Sequence, residues 1–507
     1  MLSSESGAID LARNPAGASN QDQSLLNNQL IRYGLIYISI AAVWIIALSR
    51  AVPTRLGDRG IFVSVAESIL QGGTLYVTAY DNKEPLFLYF VAIQRALGDW
   101  AELVAEVGLI GIASFSSYVI ARMLAEREAS LIVGFIIVPI VLTGVFYFPG
   151  ATHLPSTALV LAMLAALMSR YPLVAGAMFG LLVFMKIPAI PVALASACAL
   201  LAVRGSISCF IRFGVASLGV ACCIILFMGA RLELVPFIET IKGNILYAHG
   251  NVVGNAGVIR GMFARIMLIL GQNVYLVLAA IAAAFSIGLI TASGDGKPDR
   301  GFNEVFLIGV VACAATILSL SLTGLWHHHN QLLYIAACLA AIAMVQFISK
   351  SMKSAFYATM IVCFCFAYFL AGAFPLRAHF NNMVELKKNY DSLSEVSPEA
   401  LKLLTLGAFG SYARFGRYDE RGHAAALPGW RMSCARFHQG QHESEAILNR
   451  VFECASKSRV LLVGADFRVD TPDKWPDWME FVERVEDLLA SSYSCDAEAG
   501  LRVCVRK

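Results

Sequence analysis

Several short stretches of this sequence carry residue types that can do chemistry together. Gly57-Asp58-Arg59-Gly60 sets a carboxylate beside a guanidinium, and Lys83-Glu84-Pro85 follows in the same segment. Lys186 stands alone in a long apolar run, and Trp326-His327-His328-His329-Asn330 precedes another. A carboxylate can take the proton of an attacking hydroxyl, while ammonium and guanidinium groups stabilise a leaving phosphate. Asp58 is the candidate base, and Arg59 and Lys83 are candidate phosphate clamps. Each has a plainer alternative: Asp58 as the N-cap of a helix, Arg59 and Lys83 as solvated loop cations. Lys186 is costly at membrane depth and by default marks a function, against the alternative that it snorkels to the interface.

The elements that position these residues are set by composition. Hydrophobic residues make up 58% and charged ones 15% of the 507 residues, with a mean hydropathy of +0.66. No water-soluble fold hides that much apolar surface, so the bilayer is the solvent for most of the chain. Apolar spans are expected at Tyr33–Leu48, Leu103–Leu124, Ala129–Phe148, Leu154–Met168, Phe213–Met228, Met267–Ile290, Val305–Leu322, Gln331–Ile348 and Ala355–Phe374. The stretch from Pro172 to Val203, interrupted by Lys186, Pro188 and Pro191, is long for one helix and short for two.

Charge placement decides that ambiguity, because short cytoplasmic loops are rich in Lys and Arg. If the chain turns at Lys186-Ile187-Pro188, alternate loops hold Arg122 and Arg127, then Arg170, Arg204 and Arg212, Lys297 and Arg300, and Lys350 and Lys353. The expected fold is an α-helical polytopic bundle of about eleven spans with its N-terminus inside and its C-terminus outside. Residues 1–30 read as a disordered cytoplasmic tail without signal-peptide features, 31–374 as the transmembrane domain, and 51–100 as an outer loop with interfacial helices. A net charge of +3 gives no reason to expect a nucleic-acid partner.

Residues 375–507 read as a small extracytoplasmic α/β domain. Strands are expected at Leu401–Ala408, Arg459–Ala465 and, as a closing edge strand, Leu501–Val505; helices are expected at His442–Ser456 and Trp475–Leu489. Cys434, Cys454, Cys495 and Cys504 are either buried thiols or, in an oxidising compartment, disulfide partners, with Cys495–Cys504 the favoured pair.

The first outer segment resembles that of the GT-C glycosyltransferases, the superfamily of protein O-mannosyltransferases and of the aminoarabinose transferases that modify lipid A. Asp58 matches their acid after the first span, and Lys83-Glu84-Pro85 their Lys-x-Pro element, in order and spacing. Gly176 to Lys186 resembles their glycine-containing apolar run ending in Lys, and the stretch around His327 their outer turn before a late span. One departure stands out: no Asp or Glu lies between Glu128 and Glu233, where many aminoarabinose-type relatives carry a second acid, and Thr152 and His153 occupy that region.

The resemblance implies an enzyme that takes a sugar from a polyprenyl phosphate and gives it to an envelope acceptor at the outer face of the inner membrane. Asp58 would be its base. Arg59, Lys83, Glu84, Lys186 and His327 would hold donor phosphate or sugar, and His153, Tyr247 and His249 would contact the acceptor. No cofactor is implied; the adjacent His327, His328 and His329 allow a divalent metal, although one helical face presents only one or two of them. The competing classes are a lipid-linked glycan transporter, for which no repeat of broken helices is found, and a structural subunit of an envelope assembly.

Overall fold

The computed structural model describes residues 20–51, 58–70, 72–76, 81, 83–144, 147, 149–204, 207–248, 300–321, 332–343, 345, 404–406, 452, 456, 460–464, 476–498 and 501–507. Among these, the helices run α1 Asn20–Arg50, α2 Asp58–Leu70, α3 Pro85–Leu97, α4 Asp99–Arg122, α5 Arg127–Ile132 and α6 Val138–Leu142. They continue with α7 His153–Met168, α8 Pro172–Met185, α9 Ile190–Arg204, α10 Ile207–Ala230, α11 Leu234–Ala248, α12 Arg300–Ser321 and α13 Leu333–Ala343. Among the described residues, four stretches are long and apolar enough to cross a membrane, Leu30–Arg50, Trp100–Arg122, Ile187–Arg204 and Ile207–Ala230. The expected spans at Met267–Ile290 and Ala355–Phe374 lie outside the described residues. α1 begins at Asn20, inside the segment expected to be a disordered tail, because neither Gly nor Pro interrupts the chain from there to Tyr33.

In the region of the span expected at Ala129–Phe148 the chain is helical from Arg127 to Leu142, with a change of hydrogen-bonding pattern inside it. α5 passes into a π-helical turn, Val133–Ile137, before α6, whose second residue is Pro139. Proline has no N–H for the carbonyl of Phe135, one turn earlier. The Trp44 indole of α1 donates to that carbonyl instead, at 3.1 Å.

The chain does reverse at Lys186. Lys186 leaves helical geometry (φ −164°, ψ 98°) and a single 3-10 turn, Ile187–Ala189, leads into α9. Two glycines show the consequence: a Cβ on Gly176 would lie 2.1 Å from the Phe213 carbonyl oxygen, and one on Gly180 2.7 Å from that of Ser217. α8 and α10 therefore run parallel in close backbone contact, the small-xxx-small packing common in membranes. α9 must return the chain between them. Its last residue, Arg204, donates to the carbonyls of Leu167 and Met168 at the end of α7, 3.0 Å each.

These contacts sort the described residues into two ends. One end holds Arg32 with Glu128, Arg204 with Glu304, and Arg122. The other holds α2, α3, the 72–76 segment, residues 149–153 and the turns at Lys186–Ala189 and Arg231–Glu233. Its apolar centre joins Phe62, Leu75, Tyr76, Phe87 and Leu88 to Phe184, Met185, Met228 and Phe237 of the bundle helices. Phe62 and Phe87 meet edge to face at 4.9 Å, which clamps α2 to α3.

After residue 400 the described residues form a four-stranded sheet, β1 Leu404–Leu406, β2 Val460–Gly464, β3 Tyr493–Glu498 and β4 Leu501–Arg506, ordered β1-β2-β4-β3, with helix α14 Pro476–Ser492. β1 and β2 pair parallel, and β4 pairs antiparallel with both β2 and β3. Leu501–Val505 is thus central rather than the edge, since Tyr493–Glu498 pairs outside it. Cys495 and Cys504 face each other in the β3–β4 register and form a disulfide. Cys434, Cys454 and most of His442–Ser456 lie outside the described residues.

Candidate functional site

Lys83-Glu84-Pro85 is built to start a helix. Pro85 takes the first position of α3, where a missing N–H costs nothing, and Glu84 holds the extended N-cap geometry (φ −67°, ψ 145°). Its carboxylate does not cap α3. Oε1 reaches across the bundle to accept the backbone N–H of Ile187 at 2.9 Å. Lys83 precedes one partner of that bond and Lys186 precedes the other. A single part-buried hydrogen bond therefore brings together two lysine-bearing segments that lie far apart in the sequence.

The backbone around Lys83 is fixed at both of its polar groups. Its N–H donates to Asp81 Oδ1 at 2.9 Å, and its carbonyl accepts the Tyr76 hydroxyl at 2.7 Å. Its ammonium lies 5.9 Å from the centre of the Phe62 ring. Phe62 sits one helical turn after Asp58, the first residue of α2, so backbone position 58 opens the helix that Lys83 overlies.

Tyr76 is buried and adopts φ 64°, a left-handed conformation that costs a non-glycine residue about 1–2 kcal/mol. Burial first, then the nearby Glu84, Asp81 and Glu233, push its phenol well above the ordinary value, so it stays a donor. Lys186 is also buried, at 6% exposure.

Arg59 is placed differently from expectation. It is 2% exposed, and its Nη2 pairs with Glu102 at 2.9 Å and with the amide oxygen of Gln94 at 2.9 Å. It is neither a solvated loop cation nor an open phosphate clamp, because a buried guanidinium needs a carboxylate and α4 supplies one. Gly150, at φ 76°, lies against it; an added Cβ would come within 2.6 Å of Arg59 Cδ.

His153 opens α7 and is buried at 1% exposure. Tyr247 falls near the end of α11. His249, His327, His328 and His329 lie outside the described residues. Among the described residues, no group of three His, Cys, Asp or Glu side chains is arranged to hold a metal ion.

Sequence reasoning missed Glu233. It is fully buried, its Oε1 accepts the Leu75 N–H at 3.0 Å and the Arg231 Nε at 2.9 Å, and the Tyr89 hydroxyl meets both of its oxygens at 2.8 and 2.7 Å. Arg231 also donates to the Gly73 carbonyl at 3.2 Å. The available signal was the isolation of this acid: it ends the acid-free stretch after Glu128, at the end of an apolar helix, where an ionisable group asks for a reason.

No protein-family model matches the sequence, and no curated protein matches it by sequence. By structure, the chain is similar to ArnT from Cupriavidus metallidurans bound to undecaprenyl phosphate, with a TM-score of 0.50 and 14% identity over 93% of this chain and 97% of that one. It also matches the Archaeoglobus fulgidus oligosaccharyltransferase in complex with Zn and sulfate, at a TM-score of 0.45 and 13% identity over 92% of this chain and 73% of that one. AglB from the same organism, with an inhibitory peptide and a dolichol-phosphate, matches at 0.43 and 12% over 95% and 74%. The ArnT likeness spans nearly all of both chains, and this chain shares that structure's fold.

Proposed function

We propose that the protein is a membrane glycosyltransferase that moves a sugar from a polyprenyl-phosphate donor to an envelope acceptor at the outer face of the cytoplasmic membrane. The observation that carries this reading is the Glu84–Ile187 hydrogen bond, which gathers Lys83 and Lys186 at one end of an apolar bundle. Two cations carried on neighbouring backbone segments attract an anion. A lipid phosphate arriving from the bilayer is such an anion.

In the reaction the acceptor hydroxyl attacks the anomeric carbon as its proton passes to the Asp58 carboxylate. The bond between that carbon and the phosphate oxygen breaks, and its electrons leave with the phosphate. Lys83 and Lys186 stabilise the charge that develops there, and attack opposite the leaving group inverts the anomeric centre. Glu84 keeps the two cations in register. Arg59 supports the floor of the site through Glu102. His327 is assigned to donor phosphate or sugar, and His153, Tyr247 and His249 to the acceptor side, on sequence position.

The orientation draws on two independent features. Arg122, Arg127, Arg170, Arg204 and Arg300 belong to the end opposite Lys83, as expected of a cytoplasmic face. The Cys495–Cys504 disulfide suits an oxidising compartment, which supports an outer position for the C-terminal sheet.

The test is purified protein supplied with lipid-linked sugar and acceptor extracted from envelope membranes. Asp58→Asn should lose about 10²–10⁴-fold in transfer rate, the span of general-base catalysis, while still binding the donor. Transfer at the wild-type rate by Asp58→Asn would remove Asp58 from the mechanism. Translocation of the labelled lipid with no transfer, even by wild type, would replace the enzyme with a transporter.

A further inference from the structure

The Arg231–Glu233 turn joins α10 to α11 and touches the chain that leads to Lys83 at three points. Glu233 takes the Leu75 N–H, Arg231 takes the Gly73 carbonyl, and Tyr89, from the α3 helix that Lys83-Glu84-Pro85 begins, is bound to both Glu233 oxygens. The residue after Leu75 is Tyr76, whose hydroxyl holds the Lys83 carbonyl. A continuous line of hydrogen bonds thus runs from Glu233 through the 75–76 backbone to Lys83.

Two further observations agree with this line. Both sides of the contact carry a non-glycine residue in the left-handed region, Tyr76 at φ 64° and Leu232 at φ 58°. Such strain persists only where surrounding contacts over-determine the backbone. Glu233 is also the one fully buried carboxylate in this network, and the Tyr89 phenol and the Arg231 guanidinium supply the donors that make its burial tolerable.

Resting on the glycosyltransferase reading above, we infer that Glu233 is a positioning residue: it fixes the 72–76 segment so that Tyr76 holds Lys83 where the donor phosphate binds. Glu233 does not touch donor or acceptor. It acts through Lys83, with Tyr89 and Arg231 holding its carboxylate.

Two measurements on the full-length protein in detergent test this. In Glu233→Gln and in the milder Tyr89→Phe, backbone amide exchange in residues 72–76 should quicken by about tenfold or more, because the Leu75 N–H loses a firmly held acceptor. Affinity for undecaprenyl phosphate alone should fall by about tenfold in Glu233→Gln. In a Lys83→Met background, Glu233→Gln should weaken that affinity hardly further, since both changes act on the same cation. Unchanged exchange in both variants, or losses that add in full in the double variant, would overturn the assignment. A wild-type protein that fails to bind undecaprenyl phosphate would sink the functional reading, and exchange at 72–76 would still decide whether Glu233 holds the segment.

Discussion

The two ends of the bundle use the same kinds of charged residue for opposite purposes. At the arginine-rich end, carboxylates meet guanidinium groups helix to helix: Arg32 with Glu128, Arg204 with Glu304 at 2.9 Å. At the Lys83 end there are ion pairs too, Arg59 with Glu102 and Arg231 with Glu233, but here Glu84 and Glu233 also accept backbone amides of other segments, Ile187 and Leu75. Pairing charge with charge ties helices together and leaves nothing over for a ligand. Pairing carboxylates with backbone as well shapes the segments that carry Lys83 and Lys186. A fold that needed only stability would have no cause to treat its ends so differently.

The sharpest way to break this contrast is to remove one cation from each end. Lys186→Met should cost roughly 10²–10³-fold in transfer, the scale of one electrostatic contact to the reacting group, with little change in the thermal midpoint. Arg204→Met should leave transfer per folded molecule near wild type and cost about 1–3 kcal/mol of stability. The reason is that the Leu167 and Met168 carbonyls and Glu304 lose their donor. Assays of rate and melting on the same two preparations give the answer. Equal losses of rate in both would show that the ends are not functionally distinct.

A smaller effect tests the support beneath the site. Gly150→Ala puts a methyl 2.6 Å from Arg59 Cδ at a position with φ 76°. The left-handed backbone alone should cost about 1–2 kcal/mol, seen as a lower thermal midpoint. Affinity for undecaprenyl phosphate should change less than it does on losing Lys83. A large loss of affinity with an unshifted midpoint would mean that Arg59 faces the donor after all.

How much of this was legible in the sequence depended on distance along the chain. The reversal at Lys186 was readable because its cause is local: Pro188 and Pro191 interrupt an apolar run, and the flanking arginines fix which way it must turn. The Cys495–Cys504 pair was readable for the same reason, lying within one hairpin. The burial of Arg59 was not, since its partner Glu102 belongs to another helix, and nothing about Gly57-Asp58-Arg59-Gly60 says that α4 will deliver an acid to it. The isolation of Glu233 after an acid-free stretch could mark it, but its role was hidden because the Leu75 N–H and the Tyr89 hydroxyl that meet it lie in the first third of the chain. Leu501–Val505 looked like an edge because the strand that covers it, Tyr493–Glu498, contains Ser494, Asp496 and Glu498, residues that carry little strand signal.

The smallest predicted effect concerns pH and separates the ends by their donors. Burial, followed by the hydrogen bond to Glu233, raises the Tyr89 phenol above its ordinary value; burial likewise raises Tyr76. A group whose folded-state value is raised contributes stability that is fully present below its unfolded value and is lost as pH rises towards the folded one. For these phenols the loss begins only above about pH 10. Their hydrogen bonds to Glu233 and to the Lys83 carbonyl should therefore be intact throughout the neutral range, and the thermal midpoint should not fall on their account below about pH 9.5. Above about pH 10 it should fall, and less steeply in Tyr89→Phe, which has one fewer phenol to ionise on unfolding. A midpoint that instead rises between about pH 8 and pH 10, and does so only while Tyr89 is present, would mean that Tyr89 ionises easily beside Glu233 in the folded protein. The carboxylate could not then be held by that hydroxyl, and the Lys83 end would lose the backbone-directed bonding that sets it apart from the arginine end.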